Sequence, residues 1–251
     1  MNPDLQLALE LADAADAITM KHFQSTTLAV RTKIDMTPVT DADEAVERMI
    51  RERLGSERPA DGIVGEELGT SGGTSRRWVI DPIDGTKNYV RGIPVFATLI
   101  ALEEDGRITA GVVSAPSLGR RWWASRGEGA FCNGRRLGVS KIGTIDESHI
   151  TYDSLTDFDQ HGGAVRFMSL MRRCTRSRGF GDFWAHMLVA EGAVEIALEP
   201  AVAAWDMAAI QVIVEEAGGR FSDFRGNPRH DGGSGLSTNG LVHDAVLEYF
   251  R

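Results

Sequence analysis

Four carboxylates stand where this sequence changes from one kind of element to another: Glu66, Asp81, Asp84 and Asp206. Glu66 closes the short apolar run Ile63-Val64-Gly65. Asp81 and Asp84 follow the β-branched and aromatic stretch Trp78-Val79-Ile80, with Pro82 between them, and Gly85-Thr86 then open a helical turn. Hard divalent cations take oxygen ligands and keep several waters, so a few acids at element ends can seat one. The first N–H groups of a helix lack intrahelical partners and favour an anion. Together these features could hold a cation against a phosphoryl group. Singly, each acid reads equally well as a solvated surface group or a cap, and Asp-Pro-x-Asp-Gly alone is ordinary turn chemistry. The six histidines form no ligand cluster, which argues against zinc.

The elements that must carry these acids can be read from periodicity. Residues 4–23 place Leu5, Leu9, Ala12, Ala15 and Ile18 at helical spacing. A strand is expected over 28–36. A helix then starts at Thr40, with Asp43 three positions on as a capping-box partner, and stops at Gly55. Residues 63–67 read as a strand running into acids, 70–75 as a loop, and 77–80 as a strand ended by the proline. Strands over 95–102 and 108–115 flank an Asp-Gly hairpin. Further sheet is expected at 122–125 and 130–132. Near Ser140 the pattern turns to alternating strand and helix: strands at 149–154, 175–177, 194–198 and 235–238, helices at 165–173, 183–190, 205–216 and 245–250. This divides the chain into an antiparallel half, 1–140, and an α/β half, 141–251.

Composition is that of an ordinary globular protein, with 42% hydrophobic and 25% charged residues over 251 positions. The net charge of −9 lacks the basic footprint of a nucleic-acid binder, and part of it is expected to be a metal site. Cys132 and Cys174 form no disulfide framework. No apolar run reaches the length of a membrane span, and the N-terminus carries Asp4 and Glu10 where a signal peptide would be basic. A cytoplasmic protein with no nucleic-acid or membrane partner is the expectation.

The full stretch from Trp78 to Asn88 resembles the W-V-I-D-P-[IL]-D-G-T-x-N signature of the inositol monophosphatase family of Mg²⁺-dependent phosphatases. Gly65-Glu66-Glu67, Trp205-Asp206-Met207-Ala208-Ala209 and Glu216-Ala217-Gly218-Gly219 match further family blocks in order. The resemblance implies a layered αβαβα sandwich, α/β (α+β) in class, usually dimeric. It implies metal ligands at Glu66, Asp81, Asp84, Asp206 and the Ile83 carbonyl for two or three Mg²⁺ ions. Phosphate contacts fall to Gly85 and Thr86, substrate binding more widely to Ile83, Asp84, Asp206, Arg178, Asp182 and Glu199, and Glu66 with Thr86 would orient and help deprotonate the attacking water. Asp43, through Thr40-Asp41-Ala42-Asp43, matches an acid one layer behind the site. That role and helix capping stand as even alternatives for it.

The resemblance implies a small phosphate monoester as substrate. Glu199, seven residues before Asp206, matches the hydroxyl-contacting Glu of members that act on inositol phosphate. Arg178-Gly179-Phe180-Gly181-Asp182-Phe183-Trp184 instead places an acid and aromatics where those members carry small residues. The stretch from Asp84 to Leu102 with Ala115-Pro116-Ser117-Leu118-Gly119-Arg120-Arg121-Trp122-Trp123, and Gly179-Phe180-Gly181-Asp182, are similar to the family's histidinol-phosphatase branch. This implies that Asp182 and Glu199 meet the amine or imidazole of L-histidinol phosphate. An inositol or broad sugar-phosphate phosphatase is the alternative, and a non-catalytic metal or phosphate binder the remote one. The pattern leaves open whether Lys33 and Arg178 reach the site.

Overall fold

The computed structural model describes residues 2–25, 29–32, 38–161 and 163–250. Lys33 and most of the strand expected over 28–36 lie outside them. Helix α1 (Pro3–His22) is capped by Asn2, whose side chain accepts the Asp4 N–H at 2.8 Å. Strands β1 (Val30–Thr32) and β2 (Pro38–Thr40) pair antiparallel. Helix α2 (Asp41–Glu57) carries the expected Thr40/Asp43 capping box. It does not stop at Gly55. That glycine meets open space, and the extra turn is tied by the Arg53–Glu57 ion pair at 2.7 Å. An exposed helical Gly costs only about 1 kcal/mol relative to Ala, so packing elsewhere overrides it.

An eight-stranded sheet follows: β3 (Gly62–Gly65), β4 (Gly69–Ser71), β5 (Arg76–Asp84), β6 (Ala97–Glu104), β7 (Arg107–Ala115), β8 (Arg120–Ser125), β9 (Gly129–Cys132) and β10 (Arg135–Arg136), in spatial order 10-9-8-7-6-5-3-4. Short helix α3 (Thr86–Val90) interrupts it. The sheet is antiparallel except between β3 and β5, which run parallel. The loop expected from Thr70 is in part strand β4, paired to β3.

The second sheet, in order 12-11-13-15-14, contains β11 (His149–Tyr152), β12 (Arg176–Arg178), β13 (Ile196–Glu199), β14 (Arg220–Ser222) and β15 (Gly235–Thr238). Helices α4 (Leu155–Gln160), α5 (Ala164–Arg173), α6 (Asp182–Ala190), α7 (Ala204–Glu216) and α8 (His243–Leu247) surround it. The last helix begins two residues earlier than expected, where the His243 ring is pinned by Ser222 Oγ and Thr238 Oγ1, each at 2.9 Å.

Alternation along the strands builds the layers. On β5, Trp78 and Ile80 face α1 and α2 together with Ile100 and Leu102 of β6. Val79 faces the other way, toward Met207, Ile210 and Val214 of α7. Helices α6 and α7 thus lie between the sheets, and Phe158 and Phe167 of α4 and α5 cover the far face of the second. The result is α–β–α–β–α. Each fully buried large apolar side chain contributes about 1.5–3 kcal/mol. This places the middle layer, and the acids at its helix starts, with little freedom.

Candidate active site

Strand β5 does not end at the proline. It continues to Asp84, and its register with β6 slips so that Asp81 pairs Leu99 and Asp84 pairs Ala97. Two residues, Pro82 and Ile83, oppose the single Thr98. This is a bulge, where a proline is tolerated because no ladder N–H is required. Thr98 Oγ1 donates to the Pro82 carbonyl at 2.8 Å, and the Ile83 N–H donates to Asp81 Oδ1 at 3.0 Å. Three positions apart, Asp81 and Asp84 would face opposite sides of a regular strand; the slip brings both to one place. Gly85 then turns the chain at φ 82°. A Cβ there would lie 2.9 Å from the Val95 carbonyl oxygen, so only glycine fits.

Glu66 follows β3, and its N–H donates to the Ile80 carbonyl at 3.2 Å. A second acid fixes this turn. Glu47 of α2, fully buried, accepts the N–H groups of Glu67 at 2.7 Å and Leu68 at 3.1 Å and pairs with Arg51 at 2.7 Å. A Cβ on Gly65 would sit 2.0 Å from Glu47 Oε1. Gly65 therefore makes room for the carboxylate that holds the Glu66 turn.

From the middle layer, Asp206 stands at the third residue of α7 and accepts the Ala203 N–H at 2.8 Å. Asp84 accepts the Phe183 N–H from the start of α6 at 2.7 Å. Asp81, Asp84 and Asp206 each offer an oxygen within 4.8 Å of the others. Burial holds Asp81 well above the usual carboxylate range, reinforced by Glu66 and then Asp84 and Asp206. Burial does the same to Asp84, with Asp182 the next cause. Anions gathered this closely repel each other. Hard oxygen donors that converge and repel suit a divalent cation, and nothing softer is offered.

Thr86 Oγ1 donates to the Ile83 carbonyl at 2.8 Å and lies 3.5 Å from Asp43 Oδ1. Asp43, fully buried, accepts from the Thr40 N–H at 2.8 Å and Thr40 Oγ1 at 2.5 Å through its other oxygen. One carboxyl thus caps α2 and backs Thr86 at once. Burial is the main cause that raises it to about 6, against the Thr40 hydrogen bonds.

These groups open into a cleft of about 430 Å³ whose lining includes eight acids and one lysine, Lys87. Four of the acids are the cluster and Glu66. The others are Asp153, Asp157, Asp182 and Glu199. Asp182, at φ 48°, accepts from Asn88 Nδ2 at 2.9 Å. It is held well above its ordinary range by burial and next by Asp153. Asp153, at the mouth, is raised by lost hydration and by Asp157, with Lys87 opposing. Glu199 is the most buried of these four, and burial raises it to about 8.

The model of the inositol monophosphatase family matches residues 1–249. The chain belongs to that family. This family member is a phosphoric monoester hydrolase. It is 51% identical to a histidinol-phosphatase of Mycobacterium tuberculosis over 97% of this chain and 96% of that one. It is 50% identical to a histidinol-phosphatase of Streptomyces coelicolor over 99% and 97%. The solved structure of the Thermotoga maritima IMPase superposes with a TM-score of 0.89 at 32% identity, covering 99% of this chain and 97% of that one.

Of the residues singled out in this inositol monophosphatase family member, Glu66, Asp81, Ile83, Asp84, Gly85, Thr86, Asp182, Glu199 and Asp206 all line one cleft. Asp43 stands behind Thr86. Arg178 is not brought there: it is exposed, its Nη1 donates to the Ser177 carbonyl at 2.7 Å, and it lines a separate groove beside Phe180 and Trp184. As the last residue of β12, it sits on the sheet edge rather than at the cleft. Asp153, Asp157 and Glu47 escaped the sequence reading. Asp157 lies on α4, a helix not expected, whose Ser154-Leu155-Thr156-Asp157 start is a capping signal that could have found it. Among the described residues no helix is long and apolar enough to cross a membrane.

Proposed function

We propose that this enzyme hydrolyses L-histidinol phosphate to L-histidinol and phosphate, with Mg²⁺ held by Glu66, Asp81, Asp84, Asp206 and the Ile83 carbonyl. The observation that carries the substrate reading is the imbalance of the cleft wall, eight acids to one lysine among the described residues. A phosphate anion is repelled from such a cleft unless cations offset it. The cluster and Glu66 account for half of those acids. Asp153, Asp157, Asp182 and Glu199 remain on the side where the second sheet meets the cleft. A polyol offers them no charge; histidinol offers an ammonium and an imidazole. The half-identical relatives that bear the histidinol-phosphatase name support the same choice.

Two or three bound Mg²⁺ ions would neutralise phosphoryl charge and acidify a water at neutral pH. The chain's own groups do the rest. The Gly85 and Thr86 N–H groups begin a helical turn and hold the phosphate. Glu66 and Thr86 orient the attacking water, and the Glu66 carboxylate takes its proton. Asp43 keeps the Thr86 hydroxyl in place. Asp182 and Glu199 take the amine and the imidazole. A homodimer, a cytoplasmic setting and a division into two units near residue 140 belong to the same proposal; sedimentation velocity reads the first.

Phosphate release from L-histidinol phosphate, inositol 1-phosphate and fructose 1,6-bisphosphate, with Mg²⁺ and with chelator, is the test. Magnesium-dependent release with a clear preference for L-histidinol phosphate is expected. A preference for either sugar-type ester would reject the substrate and favour the inositol or sugar-phosphate alternative. No release from any ester would favour the non-catalytic binder.

A further inference from the structure

Behind Glu199, the most buried of the four acids on the second-sheet side of the cleft, lies a buried polar series. Glu199, at the end of β13, is 8% exposed. Its Oε1 lies 3.3 Å from His186 Nε2, and neither atom has a hydrogen-bond partner at this alignment. His186 is fully buried, one turn into α6 from Asp182. Its other ring nitrogen, Nδ1, is 2.7 Å from Ser237 Oγ. Ser237, also fully buried, sits on β15 opposite Ala197, two positions before Glu199. Three elements therefore contribute one residue each to a series, Ser237–His186–Glu199, that opens on the cleft only at the carboxyl end.

A serine, a histidine and an acid in line invite comparison with a nucleophilic triad. The burial runs the wrong way: the serine end is sealed, and the acid end meets the substrate. The ring also lies in a helix buried otherwise by Phe183, Ala185, Met187 and Val189. A polar ring in such a place costs free energy unless its nitrogens are used. Burial lowers His186 to about 3, so the ring is neutral, with one nitrogen to donate and one to accept. A small rotation of the Glu199 carboxyl completes the contact, as often happens on binding.

We propose that His186 is a positioning residue that, held by Ser237, fixes the orientation in which Glu199 receives the leaving group of the ester. This rests on the proposed leaving-group role of Glu199 and deepens it. Helix α6 would then serve both sides of the cleft, with the Phe183 N–H on Asp84 and His186 behind Glu199.

The test uses His186→Asn, whose amide reaches Ser237 but falls short of Glu199, and His186→Gln, whose amide reaches Glu199. With L-histidinol phosphate, His186→Asn is expected to raise KM about tenfold, the size of one hydrogen bond, with kcat little changed. His186→Gln should restore KM to within about threefold of wild type. The specificity ratio of L-histidinol phosphate over p-nitrophenyl phosphate should fall with His186→Asn, and in a Glu199→Gln background the same change should add nothing. Equal effects of the two variants, a loss of kcat shared by both esters, or an undiminished effect without Glu199 would overturn the proposal. Ser237→Ala loosens the far end and should shift KM the same way by about twofold to threefold; no shift there overturns the proposal should the histidine variants not fold. If wild type prefers inositol 1-phosphate, the substrate reading fails. The same series measured on that ester still decides the role of His186.

Discussion

The floor and the rim of the cleft are both acidic, yet they are built in different ways. The floor takes Asp81 and Asp84 from one bulged strand, Glu66 from the next strand end, and Asp206 from a helix start packed under both. Every one of these positions is pinned by backbone hydrogen bonds within the main sheet or the middle layer. The rim takes Asp153, Asp157 and Asp182 from three places around the second sheet, with buried Glu199 behind them, and with few fixed partners beyond Asn88 on Asp182. Hard-cation chemistry demands convergent oxygens to within a fraction of an ångström, and the acids proposed to hold the cation stand on rigid elements. Recognition of a cationic leaving group, the role proposed for the second set, needs charge at longer range and tolerates separately held acids.

The largest break in this division is expected from Asp84→Asn. Losing one cluster carboxylate should lower kcat/KM by roughly 10³-fold, about 4 kcal/mol of transition-state stabilisation. Steady-state rates should show the same loss for L-histidinol phosphate and p-nitrophenyl phosphate. Gly65→Ala comes next. Its Cβ drives Glu47 off the Glu67 and Leu68 N–H groups. Overpacking of this kind costs about 1–3 kcal/mol, which thermal unfolding should show as a Tm fall of about 2–9 °C, with activity lost on all esters alike. Asp182→Asn should act at the rim alone, raising KM for L-histidinol phosphate about tenfold and leaving its relation to p-nitrophenyl phosphate shifted by the same factor. An equal loss on both esters would erase the distinction between floor and rim.

The smallest effect is a pH dependence of stability without metal. Glu199 rises to about 8 and Asp43 to about 6 on folding, chiefly through burial. A raised carboxyl favours the folded state while protonated, and that contribution is lost as pH climbs through the folded value. In chelator, Tm should therefore decline from about pH 4.5 toward pH 8, and Mg²⁺ should recover part of it by binding the folded state. A Tm that rises across that window in chelator would contradict the burial of these two groups.

The floor was legible because it is contiguous: eleven residues from Trp78 to Asn88 hold two of the converging acids, the Ile83 carbonyl and the turn. The reading of Pro82 as a strand stop failed because a bulge lets the strand carry it onward. Asp43 was legible as both a cap and a backing acid, and it is placed to be both. Glu47 was not, since Glu47 and Arg51 at helical spacing look like a solvated ion pair. Only the fold reveals that Gly65 admits the carboxylate. The rim was half legible. Asp182 and Glu199 came from the resemblance, whereas Asp153 and Asp157 lie around a one-turn helix too short to mark its own period. His186 in an apolar helix reads as ordinary core; Ser237, 51 residues on, gives it meaning only in space.

Crystals grown with Mn²⁺ in place of Mg²⁺ would locate the cation directly by its anomalous scattering. A peak is expected among Glu66, Asp81, Asp84 and Asp206, with none among Asp153, Asp157 and Asp182. Density confined to the rim acids, or no bound ion at the floor in an enzyme that still releases phosphate, would contradict the assignment.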